Sequence, residues 1–304
     1  MTTWVAMGMW LAAAAAETAA DRVQGLPAAE CRELDAAAEQ RRRVGRLVES
    51  MRAAVRRLRD YTVEMRMAER SAGFMPKPMR LRMKWARPYK LYVAYLGEKM
   101  DGREVIYVPG RHGGELVVHN GSFPDITVKL DPRGDMAMEG NHHPVDEVAL
   151  THFVKVVADN LERALRRGEG QIALRDGQTL WGRPCTRLLW RIGDDGDMVR
   201  VRAGETLWNV AERTGRNMFL LLHHNRHRGW DEPDDPQPGD AVFVPRYYAS
   251  RAEIWIDDAL RLPIKAKLWD HHGQLYEFYE LRQLRINVGL TDADFDPDNP
   301  RYGF

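Results

Sequence analysis

Three adjacent histidine pairs are the first residues in this sequence whose type suits chemistry, because neutral imidazole is a common metal ligand. They are His142-His143, His223-His224 and His271-His272. Neighbouring side chains point to opposite faces of a strand and diverge by about a quarter turn on a helix, so no pair chelates an ion by itself. A metal site would need distant partners, and the chain has no spacing such as His-Glu-x-x-His. The residues therefore predict no metal site and no cofactor.

Motifs for nucleophilic catalysis and for phosphate binding are also missing. The sequence contains no Gly-x-Ser-x-Gly elbow, no Walker loop and no dinucleotide fingerprint. Cys185 falls in a predicted strand without a signalled histidine partner, and the carboxylate pair Asp257-Asp258 falls in a predicted turn. The residues supply no acid, base or nucleophile set, so we predict no catalytic residues and no enzyme activity.

Composition excludes some broad classes of function. Lys and Arg number 45 against 44 Asp and Glu, so no net field attracts nucleic acid or an anionic membrane. The 304 residues allow one large domain or two smaller ones. Cys31 and Cys185 are too few for a disulfide framework; either one bridge forms in an oxidising compartment or both remain small unpaired side chains. Function is therefore expected at local sites.

The amino-terminal residues predict export. An apolar run from Met1 to Leu11 is followed by alanines up to Ala16, which is typical of a secretory signal peptide over residues 1–20. No Lys or Arg precedes Arg22, which departs from the usual cationic start. The run is shorter than the roughly 18–20 apolar residues that span a bilayer. We expect a protein of the periplasm or cell envelope without a stable transmembrane segment.

Hydrophobic periodicity indicates an α+β fold with an antiparallel sheet. Helical spacing of apolar residues predicts helices at about 28–59 and 145–167, the second with Pro144 near its first turn. Alternation of period two predicts strands joined by short Gly- and Pro-containing turns. These strands cover residues 61–68, 79–85, 91–95, 104–108, 115–119, 126–130, 179–191, 252–257, 264–269 and 275–284. Sequential strands with short turns predict antiparallel pairing, with the two helices laid on the sheet.

The pattern changes between Arg191 and Arg251, where a strand, two helices and a short strand are predicted. The segment begins with Gly204-Glu-Thr-Leu-Trp208, has Asn225 after its second helix and ends with Pro238-Gly-Asp-Ala-Val-Phe-Val-Pro245. Several separated positions in this order resemble the LysM family. The resemblance predicts an inserted βααβ module over residues 198–246.

The LysM resemblance implies a peptidoglycan partner, bound through a shallow groove for N-acetylglucosamine-containing glycans. Carried onto this chain, the two loops that line the groove are Gly204, Glu205, Thr206 and Leu207, and Gln237, Pro238 and Gly239. The segment 226–237 is longer and more acidic than the family pattern, so it would narrow or occlude the groove. The alternative is a module that keeps its apolar core but has lost its ligand.

The remainder of the chain resembles a second family. Without the insert, 182–190 and 251–257 form two strands of one hairpin, followed by 260–270 and a last strand, which resembles the LolA-like lipoprotein-carrier superfamily. The segments Asp60-Tyr-Thr-Val-Glu-Met65, Asn287-Val-Gly-Leu290 and Asp294–Phe304 more closely resemble an uncharacterised bacterial family within it, domain of unknown function 1571. The resemblance implies a discontinuous host domain, 28–192 plus 250–304, that is a curved antiparallel β half-barrel with covering helices.

A fold of this kind implies an apolar cavity that holds a lipid or a lipoprotein. The side chains expected to line it are Met65, Met67, Met79, Leu81, Met83, Trp85 and Tyr95. Methionine adapts to varied lipid tails, but a Met-rich strand face is equally expected in an ordinary core. The sequence thus predicts a non-catalytic envelope protein that binds peptidoglycan and a lipid. The rival hypotheses are a peptidoglycan-modifying hydrolase targeted by the module and a ligand-free scaffold.

Overall fold

A computed structural model describes residues 28–71, 73–97, 102–193 and 195–304 of the chain, with side chains from residue 36 onward. The predicted signal peptide and the side chain of Cys31 lie outside these residues, so neither prediction is tested. The chain forms two compact units, Met1–Arg43 and Val44–Phe304. In the first, Arg42 Nε lies 2.8 Å from Glu39 Oε2 one helical turn away. Apart from the bounds of the first helix, all that follows concerns the second unit.

The described residues form five α-helices, three short 3₁₀ helices and thirteen strands. The helices are α1 (Ala28–Arg57), α2 (Asp135–Met138), α3 (Leu150–Arg167), α4 (Leu207–Thr214) and α5 (Met218–Asn225). The first eight strands are β1 (Asp60–Glu69), β2 (Met79–Ala86), β3 (Lys90–Leu96), β4 (Glu104–Tyr107), β5 (Leu116–Asn120), β6 (Ile126–Leu130), β7 (Gln171–Leu180) and β8 (Arg183–Arg191). The remaining five are β9 (Gly196–Arg200), β10 (Ala241–Pro245), β11 (Arg251–Asp257), β12 (Pro263–Trp269) and β13 (Leu275–Ile286).

Eleven strands form one curved antiparallel sheet in the order β6-β5-β4-β3-β2-β1-β13-β12-β11-β8-β7. The first strand pairs with the last, Met65 opposite Leu281 and Glu69 opposite Glu277. This pairing joins an amino-terminal half, β1–β6, to a carboxy-terminal half. An antiparallel sheet with a few helices, as the periodicity predicts, is therefore confirmed.

The main core lies on one face of this sheet. Odd-numbered residues of β1, from Tyr61 to Met67, are buried, as the alternation predicts. Met51 of α1 and Leu161 of α3 are fully buried in the same core. Burying an apolar side chain of this size contributes about 1.5–3 kcal/mol relative to leaving it exposed. The two long helices thus cover the sheet.

Two predicted element boundaries are wrong. The predicted strand 179–191 is a hairpin of β7 and β8, because Trp181 and Gly182 turn the chain with φ values of 52° and 77°. Most of β7 was not recognised, since its side chains are largely exposed at the sheet edge and lack an apolar alternation. Helix α3 begins at Leu150 rather than near 145, because Pro144 O accepts a hydrogen bond from Glu147 N at 2.8 Å and closes a turn there. Cys185 of β8 is buried and has no disulfide partner among the side chains that the structure describes.

Residues 196–245 fold in the predicted order of strand, helix, helix and strand. β9 and β10 form their own two-stranded sheet, and α4 and α5 pack on it around Leu207, Val210 and Val242, each 0% exposed. Asn225 fastens α5 to β10, since its side chain donates to Leu221 O and Phe243 O and accepts from Phe243 N, each at 2.8 Å. We call residues 196–245 the module. Its relation to the LysM family stays a prediction.

The module is inserted between paired strands of the large sheet. Arg191 at the end of β8 lies opposite Arg251 at the start of β11, and Ile192 N donates to Ser250 O at 2.8 Å. Asn217 of the module also donates to His142 O at 2.8 Å. The ends of the insertion therefore meet, and a side chain of the module also contacts the loop that precedes α3.

Two of the histidine pairs come together where the module contacts the sheet. The His224 ring lies 4.0 Å from the His271 ring between centroids, and His223 Nε2 lies 3.2 Å from Asp270 Oδ2. Burial lowers the pKa of His224 to about 3, and nearby His271 and His223 add to this. The His224 side chain is therefore neutral in the folded protein at neutral pH.

We expect acid to destabilise the fold through His224. Its pKa is depressed on folding from 6.5, so the neutral side chain contributes its full stability above pH 6.5 and loses it as the pH falls toward 3. Protonation of His224 in the unfolded chain lowers the free energy of unfolding by about 2 kcal/mol between pH 6.5 and 5. Urea unfolding at both pH values should show this decrease in the wild type and a smaller decrease in His224→Gln. Equal decreases would contradict the burial of neutral His224.

Candidate functional site

An internal cavity of about 70 Å³ lies between the sheet and helix α3. Strands β1, β2, β12 and β13 supply one wall, and the α3 side chains Phe153, Val156 and Val157 supply the other. The volume is a little over twice the roughly 30 Å³ that one water occupies in the liquid. It is well below the roughly 300–1,000 Å³ of most small-molecule sites. At this size, the cavity holds a small group or the end of a chain.

Three of the seven predicted cavity residues line this space, namely Met65, Met67 and Met83. The other four, Met79, Leu81, Trp85 and Tyr95, pack in the core beside it. The Trp85 ring stacks on Tyr61 at a centroid distance of 5.5 Å, which fills the space next to it. The alternation thus predicted the inward face correctly, but not the part of that face that remains open.

One end of the cavity is polar and centres on Glu277 of β13. This carboxylate is 1% exposed and accepts hydrogen bonds from His142 Nδ1 at 2.9 Å and from the hydroxyl of Tyr248. Burial acts to raise the pKa of Glu277, but His142 and His143 outweigh it and hold that pKa below its usual range. The carboxylate therefore stays ionised inside the protein.

Glu69 places a second buried carboxylate beside the first. It is 3% exposed and lies directly opposite Glu277 in the β1–β13 pair, where like charges destabilise a sheet. Its oxygens accept from the Tyr279 hydroxyl and from the backbone N–H of His142. Glu277 and Glu69 also raise the pKa of His142 against the effect of burial. The surrounding donors offset the repulsion between the two carboxylates.

A third carboxylate, Glu147, lies between two histidines in the cavity wall. Its Oε2 is 3.7 Å from His143 Nδ1 and 3.7 Å from His152 Nε2. Burial acts to lower the pKa of His143, but Glu147 and Glu277 outweigh it and raise that pKa to about 10. Burial lowers the pKa of His152 to about 4. One imidazole is thus charged and the other neutral.

Two overlapping sets in the described part of the chain have the composition and spacing of metal ligands. The donor atoms of His143, Glu147 and His152 all lie within 4.8 Å of one another, as do those of Glu69, His143 and Glu277. The sequence analysis predicted no metal site and did not bring these residues together. In the structure His142 is only 4% exposed, because its turn folds against β13. A carboxylate four residues after His143 was the available local signal.

Most hydrogen-bonding groups of the first predicted glycan loop already have partners within the module. Leu207 is fully buried and its N–H donates to Pro233 O at 2.8 Å. The side-chain hydrogen bond from Arg213 at 2.9 Å lowers the pKa of Glu205 to about 2. Thr206 N donates to Asn209 Oδ1 at 2.8 Å, and Gly204 adopts a φ of 74°. The acidic segment therefore lies against this loop.

The second predicted glycan loop lies beside the first strand of the module. Gly239 N donates to Val201 O at 2.8 Å, and Gln237 N donates to Asp240 Oδ2 at 2.8 Å. Pro238 lies between these two residues and has no N–H to offer. Because several backbone donors of both loops are already used, a glycan would depend more on side chains. Glycan binding at these residues stays a prediction.

A second cavity, of about 280 Å³, separates the module from the large sheet. Phe219, Arg226 and Trp230 line it from the module, and Arg70 and Tyr276 line it from the sheet. Its walls combine aromatic rings with guanidinium groups.

One protein family matches most of the chain. A family model described as "Protein of unknown function (DUF1571)" matches residues 58–208 and 243–304. The match is interrupted at 209–242, which is most of the module. No curated protein gives a significant match to the chain.

Several solved structures are similar to this chain over most of its length. Lipoprotein LppX of Mycobacterium tuberculosis is 12% identical, with a TM-score of 0.40 over 83% of this chain and 99% of that chain. A putative outer membrane lipoprotein-sorting protein domain from Vibrio parahaemolyticus is 10% identical, with a TM-score of 0.34 over 83% and 95%. A LolA superfamily protein from Nitrosomonas europaea is 8% identical, with a TM-score of 0.29 over 83% and 97%. TM-scores this low do not carry the fold or function of these proteins over to this chain.

Proposed function

This chain belongs to the DUF1571 family of proteins of unknown function, and we propose that it is a non-catalytic cell-envelope protein that binds an acyl chain of a lipid or lipoprotein. The observation that supports the proposal is the cavity under α3, whose walls are mostly apolar, with its charged and histidine side chains grouped around His143. A space with apolar walls and one polar end suits a ligand with an acyl chain and a polar head.

The small volume of the cavity requires its wall to move when an acyl chain enters. Met65, Met67 and Met83 line the strand side, and unbranched methionine side chains repack at low cost. The opposite wall is a single helix, α3. We therefore regard the described cavity as the closed form of the site, which a ligand opens by displacing these side chains.

Palmitate binding tests the acyl site. We expect the full-length protein to bind palmitate in a calorimetric titration, and Val156→Phe to weaken the binding roughly tenfold because the new ring fills the cavity. Arg166→Phe adds the same ring to the same helix at a side chain that is 69% exposed, and should bind like the wild type. Absence of palmitate binding, together with no lipid in natively purified protein, would favour the ligand-free scaffold.

A second function, binding of peptidoglycan glycan by the module, is favoured by one specific observation. The module has its own core and presents Trp230 and Phe219 to a cavity of about 280 Å³. Aromatic faces beside polar donors suit a neutral sugar polymer. This proposal includes the predicted loop residues but does not depend on their backbone donors.

Sedimentation with purified sacculi tests whether the module binds peptidoglycan. The full-length protein should sediment with them, and a variant in which residues 199–245 are replaced by a short turn should remain in the supernatant. A cooperative thermal transition of that variant provides the control, since β8 and β11 still pair. Equal sedimentation of both proteins would contradict glycan binding by the module. Clearing of sacculi in a zymogram would instead support the rival hydrolase.

Export from the cytoplasm is part of the proposal. It is supported by the signal-peptide pattern of residues 1–20. No helix in the described part of the chain is long and apolar enough to cross a membrane. Cell fractionation should find the mature protein in the envelope fraction, and a cytoplasmic protein that retains Met1 would contradict this expectation.

A further inference from the structure

His143, Glu147 and His152 each place one donor atom at a separation close to that of metal ligands. His143 Nδ1 and His152 Nε2 each lie 3.7 Å from Glu147 Oε2, which is too long for a hydrogen bond. In tetrahedral coordination with bonds of about 2.0–2.2 Å, neighbouring donor atoms lie about 3.3–3.6 Å apart. The third separation, between His143 Nδ1 and His152 Nε2, is within 4.8 Å, so modest side-chain rotations would bring the three donors onto one ion.

One ring nitrogen of His143 has no hydrogen bond within the described part of the chain, and Glu147 is the charged group it faces at 3.7 Å. This nitrogen, Nδ1, is buried. Buried polar atoms without a partner are rare in folded proteins, and a bound ion is one way in which such an atom is satisfied. An ion bonded to Nδ1 would supply the missing partner.

The other nitrogen of the same ring is held as in known metal sites. His143 Nε2 lies 3.0 Å from the hydroxyl of Tyr248, which in turn donates to Glu277. Histidine ligands commonly use their second nitrogen in this way, which fixes the ring and its tautomer. Tyr248 and Glu277 would therefore act as positioning residues rather than ligands.

The alternative set of Glu69, His143 and Glu277 is less suited to an ion. The oxygens of Glu277 and Glu69 already accept hydrogen bonds from His142, Tyr248 and Tyr279. Binding a metal there would break these bonds. The set around Glu147 requires no such loss, because its donor atoms face one another without direct hydrogen bonds.

From this geometry we infer that His143, Glu147 and His152 bind one divalent transition-metal ion in the wall of the acyl cavity. Two imidazoles and one carboxylate suit Zn²⁺ or Fe²⁺ rather than Mg²⁺ or Ca²⁺, which prefer all-oxygen ligands. The turn from Pro144 to Glu147 and the first turn of α3 hold the three side chains in place. All three line the cavity, so a fourth coordination position is open to water or to a ligand head group.

Zinc titration of the metal-free, full-length protein tests this inference. In competition with a chromophoric chelator, the protein should bind one equivalent of Zn²⁺. His152→Ala should weaken binding by more than the roughly 10–100-fold that loss of an outer hydrogen-bond partner costs. The side chain of His152 is 26% exposed, so its loss is compatible with folding. Glu147→Gln gives a second ligand variant of nearly the same shape.

The second histidine cluster provides the matched control. The double variant His223→Gln/His271→Gln removes two rings that lie 5.3 Å apart outside the cavity, and it should retain the tight zinc site. Co²⁺ should give visible absorption bands of a tetrahedral site in the wild type and in this control, but not in Glu147→Gln. If the double variant loses tight binding while His152→Ala keeps it, the inference is overturned. It is also overturned if the wild type and His152→Ala bind Zn²⁺ with the same affinity, or if neither binds it.

Discussion

Replacing Glu277 with glutamine should lower the free energy of unfolding by about 3–5 kcal/mol, the usual cost of breaking a buried ion pair from one side. Glutamine has nearly the same shape, so the cavity and the strand register are kept. The substitution removes the negative charge of Glu277, a side chain that is only 1% exposed. His142, His143 and Tyr248 all face this charge. The imidazoles would then have to lose a proton or remain buried with one anion fewer.

Urea unfolding at neutral pH measures this loss, with a chelator present so that a bound metal does not contribute. Glu212→Gln is the matched control, since Glu212 is exposed on α4. Its free energy of unfolding should change by less than about 0.5 kcal/mol. A Glu277→Gln protein within about 1 kcal/mol of the wild type would mean that the carboxylate is not the anionic partner of the histidines.

The Asn225→Leu variant should destabilise the module by about 2–4 kcal/mol. Leucine fills the same fully buried position but leaves the N–H and the carbonyl of Phe243 without partners. Each buried polar group left unsatisfied costs about 1–3 kcal/mol. The contact between α5 and β10 would then rest on apolar packing alone.

Hydrogen exchange resolves where the effect of Asn225→Leu falls. Amides of β9, β10, α4 and α5 should exchange faster, whereas those of β1 and β13 should keep their protection. The core of the module is a separate cluster, and only Leu220 of α5 packs in the core of the large sheet. His227→Leu, at an exposed position just after α5, should leave both regions unchanged. Faster exchange throughout the large sheet would show that the module is not an independent unit of stability.

Much of the large sheet could be predicted from periodicity alone. The alternation in β1 and β2 places Met65, Met67 and Met83 on the inward face, and nine of the ten predicted strands agree with the structure apart from small shifts at their ends. The exceptions have local physical causes. β7 is a largely exposed edge strand, and the turn at Pro144 delays the start of α3.

The polar end of the cavity could not be predicted in the same way. Glu69 and Glu277 are far apart in the sequence and meet only because β1 pairs with β13 in one particular register. His142 and His143 look like solvated turn residues until that turn is placed against β13. Strand order and register depend on long-range contacts, which a periodic pattern does not contain.

The pairing of β1 with β13 also has a consequence for the nascent chain. While the ribosome has not yet released residues 275–286, β1 has no partner on one of its two edges. An open, apolar strand edge is a template for association with other chains. Folding of the sheet should therefore wait until β13 has left the ribosome, and until then the incomplete half-sheet is open to a chaperone.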